Sequence, residues 1–295
     1  MSTPQAGIFI EGSSHHFYLE YVINPTANLD NIRQALCKTG NATATNQVIA
    51  FGPNLWTNLS PKDIPSGLRD FDAIEGVNGF HNPATQRDLF FWIHGNDLDD
   101  VFDHALDIQH IMAPVTSLKL DERGFTYHDS RDLTGFIDGT ANPEDEKARL
   151  AAVVPDGEAG AGGSFVLSQK WVHDLDKFNA LPIPEQEAVI GRTKPDSIEL
   201  EGDAMSDDSH VSRTDVSEDG VALKIYRRSA PFGSVSEKGL YFLAFSCAVR
   251  RFDVQLHRMF GVSDDGLHDR IIEFSEPVTS SYWFAPSQES LADIS

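Results

Sequence analysis

Leu89–His94, LFFWIH, followed by the turn Gly95-Asn96-Asp97 and by Leu98–Met112, LDDVFDHALDIQHIM, is the stretch whose reading decides the fold. A short apolar run rich in aromatic and β-branched residues and bounded by turn formers reads as a strand. The segment after it sets Val101, Ala105 and Ile108 on one side of a helix. A similar unit recurs in the second half: Leu240–Val249, LYFLAFSCAV, precedes the amphipathic Phe252–Phe260, FDVQLHRMF. Arg87-Asp88-Leu89 leads into the first unit and Lys238-Gly239-Leu240 into the second. Two half-chains with strands and a helix in the same order predict a duplicated α+β module, the halves meeting around Thr126–Thr134.

Working outward, His16–Val22 reads as a strand, Asn28–Thr39 as a helix with Leu29, Ile32 and Leu36 on one face, and Asn46–Gly52 as a buried strand. Residues 53–83 are rich in Pro, Gly and Asn and read mostly as loop. Asp156–Gly163 reads as a flexible loop, and Glu199–Glu218, which contains His210, as acidic and non-regular.

Of the 295 residues 40% are apolar and 23% charged, ordinary proportions for a chain that buries a core. The net charge of −22 argues against nucleic acid, whose phosphates call for Lys and Arg, and against anionic membrane surfaces. No apolar run reaches the roughly 18 residues of a membrane span. The N-terminus has neither a basic, then apolar, leader nor a twin-arginine pair, so cytoplasmic residence is expected. Cys37 and Cys247 form no metal spacing and read as free thiols, Cys247 as core packing.

Three segments carry polar residues that could do chemistry. In Gly135–Pro143, GFIDGTANP, Asp138 sits in an Asp-Gly step, which on its own is a favoured turn. Flanking glycines would also let backbone approach a flat cofactor, while Phe136 and Ile137 would keep the carboxylate partly desolvated and raise its pKa into a range useful for a base. His210, in Ser209–Arg213 (SHVSR), is one of eleven histidines, and a lone histidine is more often structural; an axial ligand, however, needs no partner ligands. Ala222–Phe232, ALKIYRRSAPF, puts two arginines at the end of an apolar strand. These could be a solvated strand end, or a rigid guanidinium that stabilises charge on a departing oxygen.

In combination the segments resemble the dye-decolorizing peroxidases, most closely the compact bacterial B-type branch. GFIDGT is similar to that family's GxxDG signature, SHVSR to its proximal-histidine segment and IYRRSAPFG to its distal-arginine segment. Their separations fit too, with 72 residues from Asp138 to His210 and 17 from His210 to Arg227. The likeness extends to QKWVHDL (Gln169–Leu175), IGRTK (Ile190–Lys194) and SYWFAPS (Ser281–Ser287).

The resemblance implies an α+β fold of two ferredoxin-like modules, residues 1–130 and 131–295, whose antiparallel sheets form a dimeric α+β barrel-type fold with one haem b held mainly by the second module. His210 would be the axial ligand of the haem iron, and Asp269, in HDRIIEF, would accept that histidine's second N–H. Such a carboxylate pushes electron density toward iron. Asp138 and Arg227 would be catalytic, shuttling the peroxide proton and stabilising the cleaving peroxide. Gly139, Arg192, matching a haem-propionate partner, and Ser229, where some relatives carry Asn, complete the expected cofactor contacts. The implied activity is reduction of hydrogen peroxide with oxidation of dyes and other aromatic reductants through a ferryl intermediate, in an even-numbered homo-oligomer. Relatives packed into nanocompartments often carry a long tail after the segment matching SYWFAPS, and with only SQESLADIS at the end of this sequence encapsulation is not expected. Two other readings stay open on the sequence: a haem-handling protein that releases iron, with incidental peroxidase activity, and a haem-free ligand-binding barrel. The remaining histidines, and Trp56, Trp92, Trp171 and Trp283, read as structural.

Overall fold

The computed structural model describes residues 2–40 and 44–294. In the first half the order is β1 (His15–Ile23), α1 (Leu29–Leu36), β2 (Asn46–Phe51), β3 (Leu89–Gly95), α2 (Leu98–Met112) and β4 (Thr116–Phe125). In the second half come β5 (Ser164–His173), α3 (Ile183–Ile190), α4 (His210–Thr214), β6 (Tyr226–Arg227), β7 (Ala230–Gly233), β8 (Lys238–Ser246), α5 (Arg250–Met259) and β9 (Ser275–Ala285).

Each half folds as a ferredoxin-like sheet. The first has spatial order β4-β1-β3-β2, and the second has the equivalent β9-β5-β8-β7, with β6 also pairing with β8. The two sheets join at both edges, β7 to β4 through Phe232 opposite Gly124 and β9 to β2 through Phe284 opposite Phe51. The result is a closed, antiparallel ring of eight strands with no exposed edge in it. Duplication thus produces an intramolecular α+β barrel, as the repeated strand–helix unit predicts.

The opening run lacks the apolar–polar alternation of a half-exposed strand because both its faces are covered. Phe90 and Trp92 point into the barrel with Tyr18, Val48, Val166, Tyr241 and Trp283. Leu89, Phe91 and Ile93 point outward onto α1, α2 and their neighbours. Asp97 starts α2 by accepting from the amides of Asp99 (2.9 Å) and Asp100 (3.3 Å), which satisfies donors that a helix start leaves free. All four tryptophans are buried, as expected for core residues.

Two readings are corrected. Pro53–Leu59 is a helix, not loop: Pro53 occupies the first turn, where a missing N–H costs nothing. Within the acidic 199–218 segment, Gly202–Ala204 forms a 3₁₀ turn and His210 opens α4, whose cap is supplied by Ser209 accepting from the Ser212 amide at 3.3 Å.

Candidate active site

A cavity lies between the outer face of the barrel and the helices of the second half. Strand alternation builds its floor: Leu167, Gln169 and Trp171 of β5 and Leu240 and Phe242 of β8 face it, while their neighbours face the barrel interior. Ile190 of α3, His210, Val211 and Thr214 of α4, and Phe252, Leu256 and Met259 of α5 cover it, and the GFIDGT loop closes one side. The walls are mostly apolar, with few polar groups converging. That is the composition of a site for a sizeable, mostly apolar ligand.

On one side stands His210. Its Nδ1 is 2.7 Å from Oδ2 of the fully buried Asp269, whose Oδ1 accepts from the Ile271 amide at 2.9 Å. A carboxylate can only accept, so Nδ1 carries the proton and the Nε2 lone pair is left for a ligand role. The short helix that presents His210 is anchored beneath. Buried Arg213 grips Asp265 at 2.6 and 2.9 Å, and Arg258 donates to the carbonyls of Ser212 (3.0 Å) and Arg213 (3.2 Å). Gly191, at φ +93, ends α3 against α4, and a Cβ there would meet Val211 Cβ at 2.9 Å.

Asp138 and Arg227 line the same cavity. Burial pushes the Asp138 carboxyl above the usual carboxylate range, helped by the charge of Asp132 and opposed by Arg227, the Gly139 amide and His210. The Gly139 amide donates to Asp138 Oδ1 at 2.7 Å, and Gly139 itself sits at φ +84, where a side chain would be strained. Arg227 is held by its main chain: its amide donates to Asn142 Oδ1 and its carbonyl accepts from Asn142 Nδ2, both at 2.9 Å. The Arg227 Nε is buried with no hydrogen-bond partner.

Arg192 also lines the cavity, but its guanidinium is occupied, donating to the Ser197 carbonyl (2.9 Å) and pairing with Glu199. Ser229 is not brought to the cavity wall; its hydroxyl accepts from the Leu243 amide at 3.3 Å across the strand.

Sequence reasoning missed a third polar group on the wall. His173 Nε2 lies 3.0 Å from Asp132 Oδ1 and its Nδ1 2.7 Å from Ser275 Oγ. Asp132 also accepts from the Thr134 amide (2.9 Å) and hydroxyl (2.5 Å). Burial alone would raise the Asp132 pKa, but His173 and the Thr134 donors outweigh it and hold the carboxyl down at about 2. This cluster bolts the Asp138 loop to β5 and β9. The Asp-x-Thr turn before GFIDG was its one signal in the sequence. Asn142, inside the turn-like Asn-Pro step, was equally concealed.

The chain matches the family models for the Dyp-type peroxidase N-terminal region over residues 22–126 and C-terminal region over 129–290. It is 36% identical over 250 residues to a dye-decolorizing peroxidase of Rhodococcus erythropolis, covering 83% of this chain and 73% of that protein. A putative Dyp-type peroxidase from Shewanella oneidensis superposes with TM-score 0.93 at 33% identity, over 99% of this chain and 98% of that one. A variant of DypB from Rhodococcus jostii RHA1, in complex with heme, gives TM-score 0.92 at 31% identity over 99% of both chains. These matches define a peroxidase. The chain belongs to the Dyp-type peroxidase family. Among the described residues no helix is long and apolar enough to cross a membrane.

Proposed function

We propose that the cavity would hold one haem b, with His210 Nε2 available to bind its iron, and that Asp138 and Arg227, on the same lining, would handle hydrogen peroxide. The observation that carries this reading is the convergence of opposite kinds of polar group on one apolar cavity: an imidazole held through Nδ1 by Asp269, and the Asp138 carboxyl and Arg227 on the same lining. The heme-bound DypB neighbour supports it. When bound, haem supplies the redox iron at which peroxide is reduced and from which aromatic reductants are oxidised.

Asp138, kept basic enough by burial, takes a proton from the incoming peroxide and returns it to the departing oxygen. Arg227 stabilises the negative charge that develops there, at fixed geometry and in a dry site. Gly139 lets the loop backbone lie close to the ring. Arg192 contributes to a propionate by sharing its guanidinium with Glu199, and Ser229 acts only from behind the wall. Two modules divided near 130/131, an even-numbered homo-oligomer and cytoplasmic residence complete the reading. Peroxide-dependent dye oxidation by the haem-loaded protein tests it. Wild type turns over, and Asp138→Ala and Arg227→Leu lose activity by orders of magnitude while retaining haem; equal turnover in all three would sink the assignment.

A further inference from the structure

The cavity wall carries a second carboxylate beside Asp138. Asp132 and Asp138 sit on opposite arms of one tight hairpin. The Asp132 amide donates to the Phe136 carbonyl and the Asp138 amide to the Ser130 carbonyl, both at 2.9 Å, with Arg131 opposite Ile137. In that register Asp132 is diagonal to Asp138 on the same face, a separation on the order of 7 Å. Both residues line the cavity.

Asp132 is mostly buried and firmly held. His173 Nε2, from β5, is 3.0 Å from its Oδ1, and the Thr134 amide and hydroxyl donate to its Oδ2 at 2.9 and 2.5 Å. Because a carboxylate only accepts, Nε2 carries a proton toward it. The other ring nitrogen lies 2.7 Å from Ser275 Oγ, a contact set by the pairing of Ser275 with His173 across β9 and β5. An asparagine could accept from Thr134 through its oxygen and donate to a neutral His173 through its amide, without burying a charge. What asparagine lacks is the charge itself.

We propose that Asp132 and His173 form a positioning pair for the peroxide reaction: His173 keeps Asp132 charged, and that fixed charge beside Asp138 makes the Asp138 carboxylate a stronger base. Asp138 remains the group that meets peroxide, and the pair acts through it. The proposal rests on the reading of Asp138 as the proton shuttle. Two carboxylates this close in a partly dry wall resist being ionised together, and the one with the better hydrogen bonds keeps its charge. Asp132 wins that competition. Against its burial, His173 and the Thr134 donors hold its carboxyl down at about 2, whereas burial and then the Asp132 charge push Asp138 up.

Arg227 from β6 and His210 from α4 pull Asp138 the other way, as does the Gly139 amide, and Tyr18 of β1 feels the Asp138 charge. The other charges on the lining, Arg192 with Glu199 and Lys224 with Asp215, are paired with each other. Removing the Asp132 charge should therefore lower the Asp138 pKa and carry the acid limb of the peroxide step to lower pH. The expected displacement is roughly half to one pH unit, the effect of one charge at that separation in a medium between protein and water.

The test is infrared difference spectroscopy across pH on the purified protein, with and without haem. It follows the C=O stretch of protonated Asp138, assigned as the band that Asp138→Asn removes. Asp132→Asn should move the midpoint of that band roughly half to one pH unit lower. Stopped-flow mixing of the haem-loaded variant with peroxide should show the acid limb moved by the same amount. His173→Phe, which takes the donor from Asp132, should shift both in the same direction, while His173→Gln, which keeps an N–H for it, should stay nearer wild type. These two decide the matter if Asp132→Asn does not fold. An unmoved midpoint in Asp132→Asn or in His173→Phe overturns the proposal, and a lowered melting temperature alongside it marks the pair as a brace only. A protein that takes up no haem ends the haem reading and with it the pair's claim on the peroxide step. A haem-loaded, peroxide-reactive protein whose midpoint stays put in the variants ends this proposal alone.

Discussion

His210 Nδ1 and Asp269 Oδ2 are 2.7 Å apart, and the carboxylate is completely buried on the far side of the imidazole from the cavity. A proton shared in that direction gives the ring imidazolate character and fixes which nitrogen faces the ligand. Asp269→Asn keeps a hydrogen-bond acceptor but removes the charge. The expected outcome is a roughly 10- to 100-fold loss in haem affinity or peroxide turnover, with the ferric/ferrous potential moved upward. Potentiometry of wild type and variant checks the direction; an unchanged or lower potential contradicts the role.

Asp138 gives a pH dependence whose sign follows from its raised pKa. The carboxylate must be ionised to take the peroxide proton, so the rate of the peroxide step should fall on acidification through its pKa, at higher pH than for an ordinary aspartate. Dye oxidation, which also needs the proton returned to the leaving oxygen, should be best in mildly acidic solution. Asp138→Asn should lose the acid limb and about 10²- to 10⁴-fold in rate. Stopped-flow mixing with peroxide across pH reads both, and a wild-type profile flat between acid and neutral pH would rule out Asp138 as the shuttle.

Arg227 separates charge from position, because Asn142 holds its main chain rather than its side chain. Arg227→Leu should leave folding intact and lower peroxide turnover roughly 10²- to 10³-fold, the scale of losing one donor to a developing oxyanion. Asn142→Ala deletes both backbone contacts and should cost about 1–3 kcal/mol of stability, with a smaller activity loss. Denaturant melts and steady-state kinetics on the two variants should show opposite rank orders; matching orders would remove the distinction.

Arg213 is 1% exposed, and Asp265 balances its charge. Removing Asp265 leaves that buried cation with the Arg258 carbonyl and the Ser263 hydroxyl alone, directly under the helix that carries His210. Because Asp265 is itself partly exposed, the loss should fall below the roughly 3–5 kcal/mol of a fully buried pair. Asp265→Ala should melt early and bind haem weakly. The Arg213 hydrogen bond leads the interactions that depress the Asp265 pKa below the carboxylate range, so the pair's contribution is present above the unfolded value near 3.8 and is lost as pH falls below it. Thermal melts at neutral pH and near pH 3 check this: the gap between wild type and variant should narrow in acid.

Much of the fold was legible where both faces of a strand are buried. LFFWIH and LYFLAFSCAV stand out as apolar runs, and their repeat with a following helix anticipates the closed barrel. Thr116–Phe125 escaped notice because one face meets solvent: Ser117, Lys119, Asp121 and Arg123 are exposed and dilute the apolar signal. Of the site, Asp138, His210, Arg192 and Arg227 do line one cavity, with Asp269 behind His210. Asp132, His173 and Ser275 come together only through the barrel's register, 41 and 102 residues apart along the chain. Neither spacing nor residue type announces such a contact. Ser229 is not among the residues lining that cavity; its hydroxyl accepts from the Leu243 amide across the strand.

The most direct test of the central claim is the absorption spectrum of the purified protein titrated with haem. Wild type should saturate at one haem per chain with a Soret band of a histidine-ligated ferric haem, and His210→Ala should lose that band or shift it to a form lacking the histidine. A wild-type protein that takes up no haem, or a His210→Ala spectrum indistinguishable from it, would contradict the account.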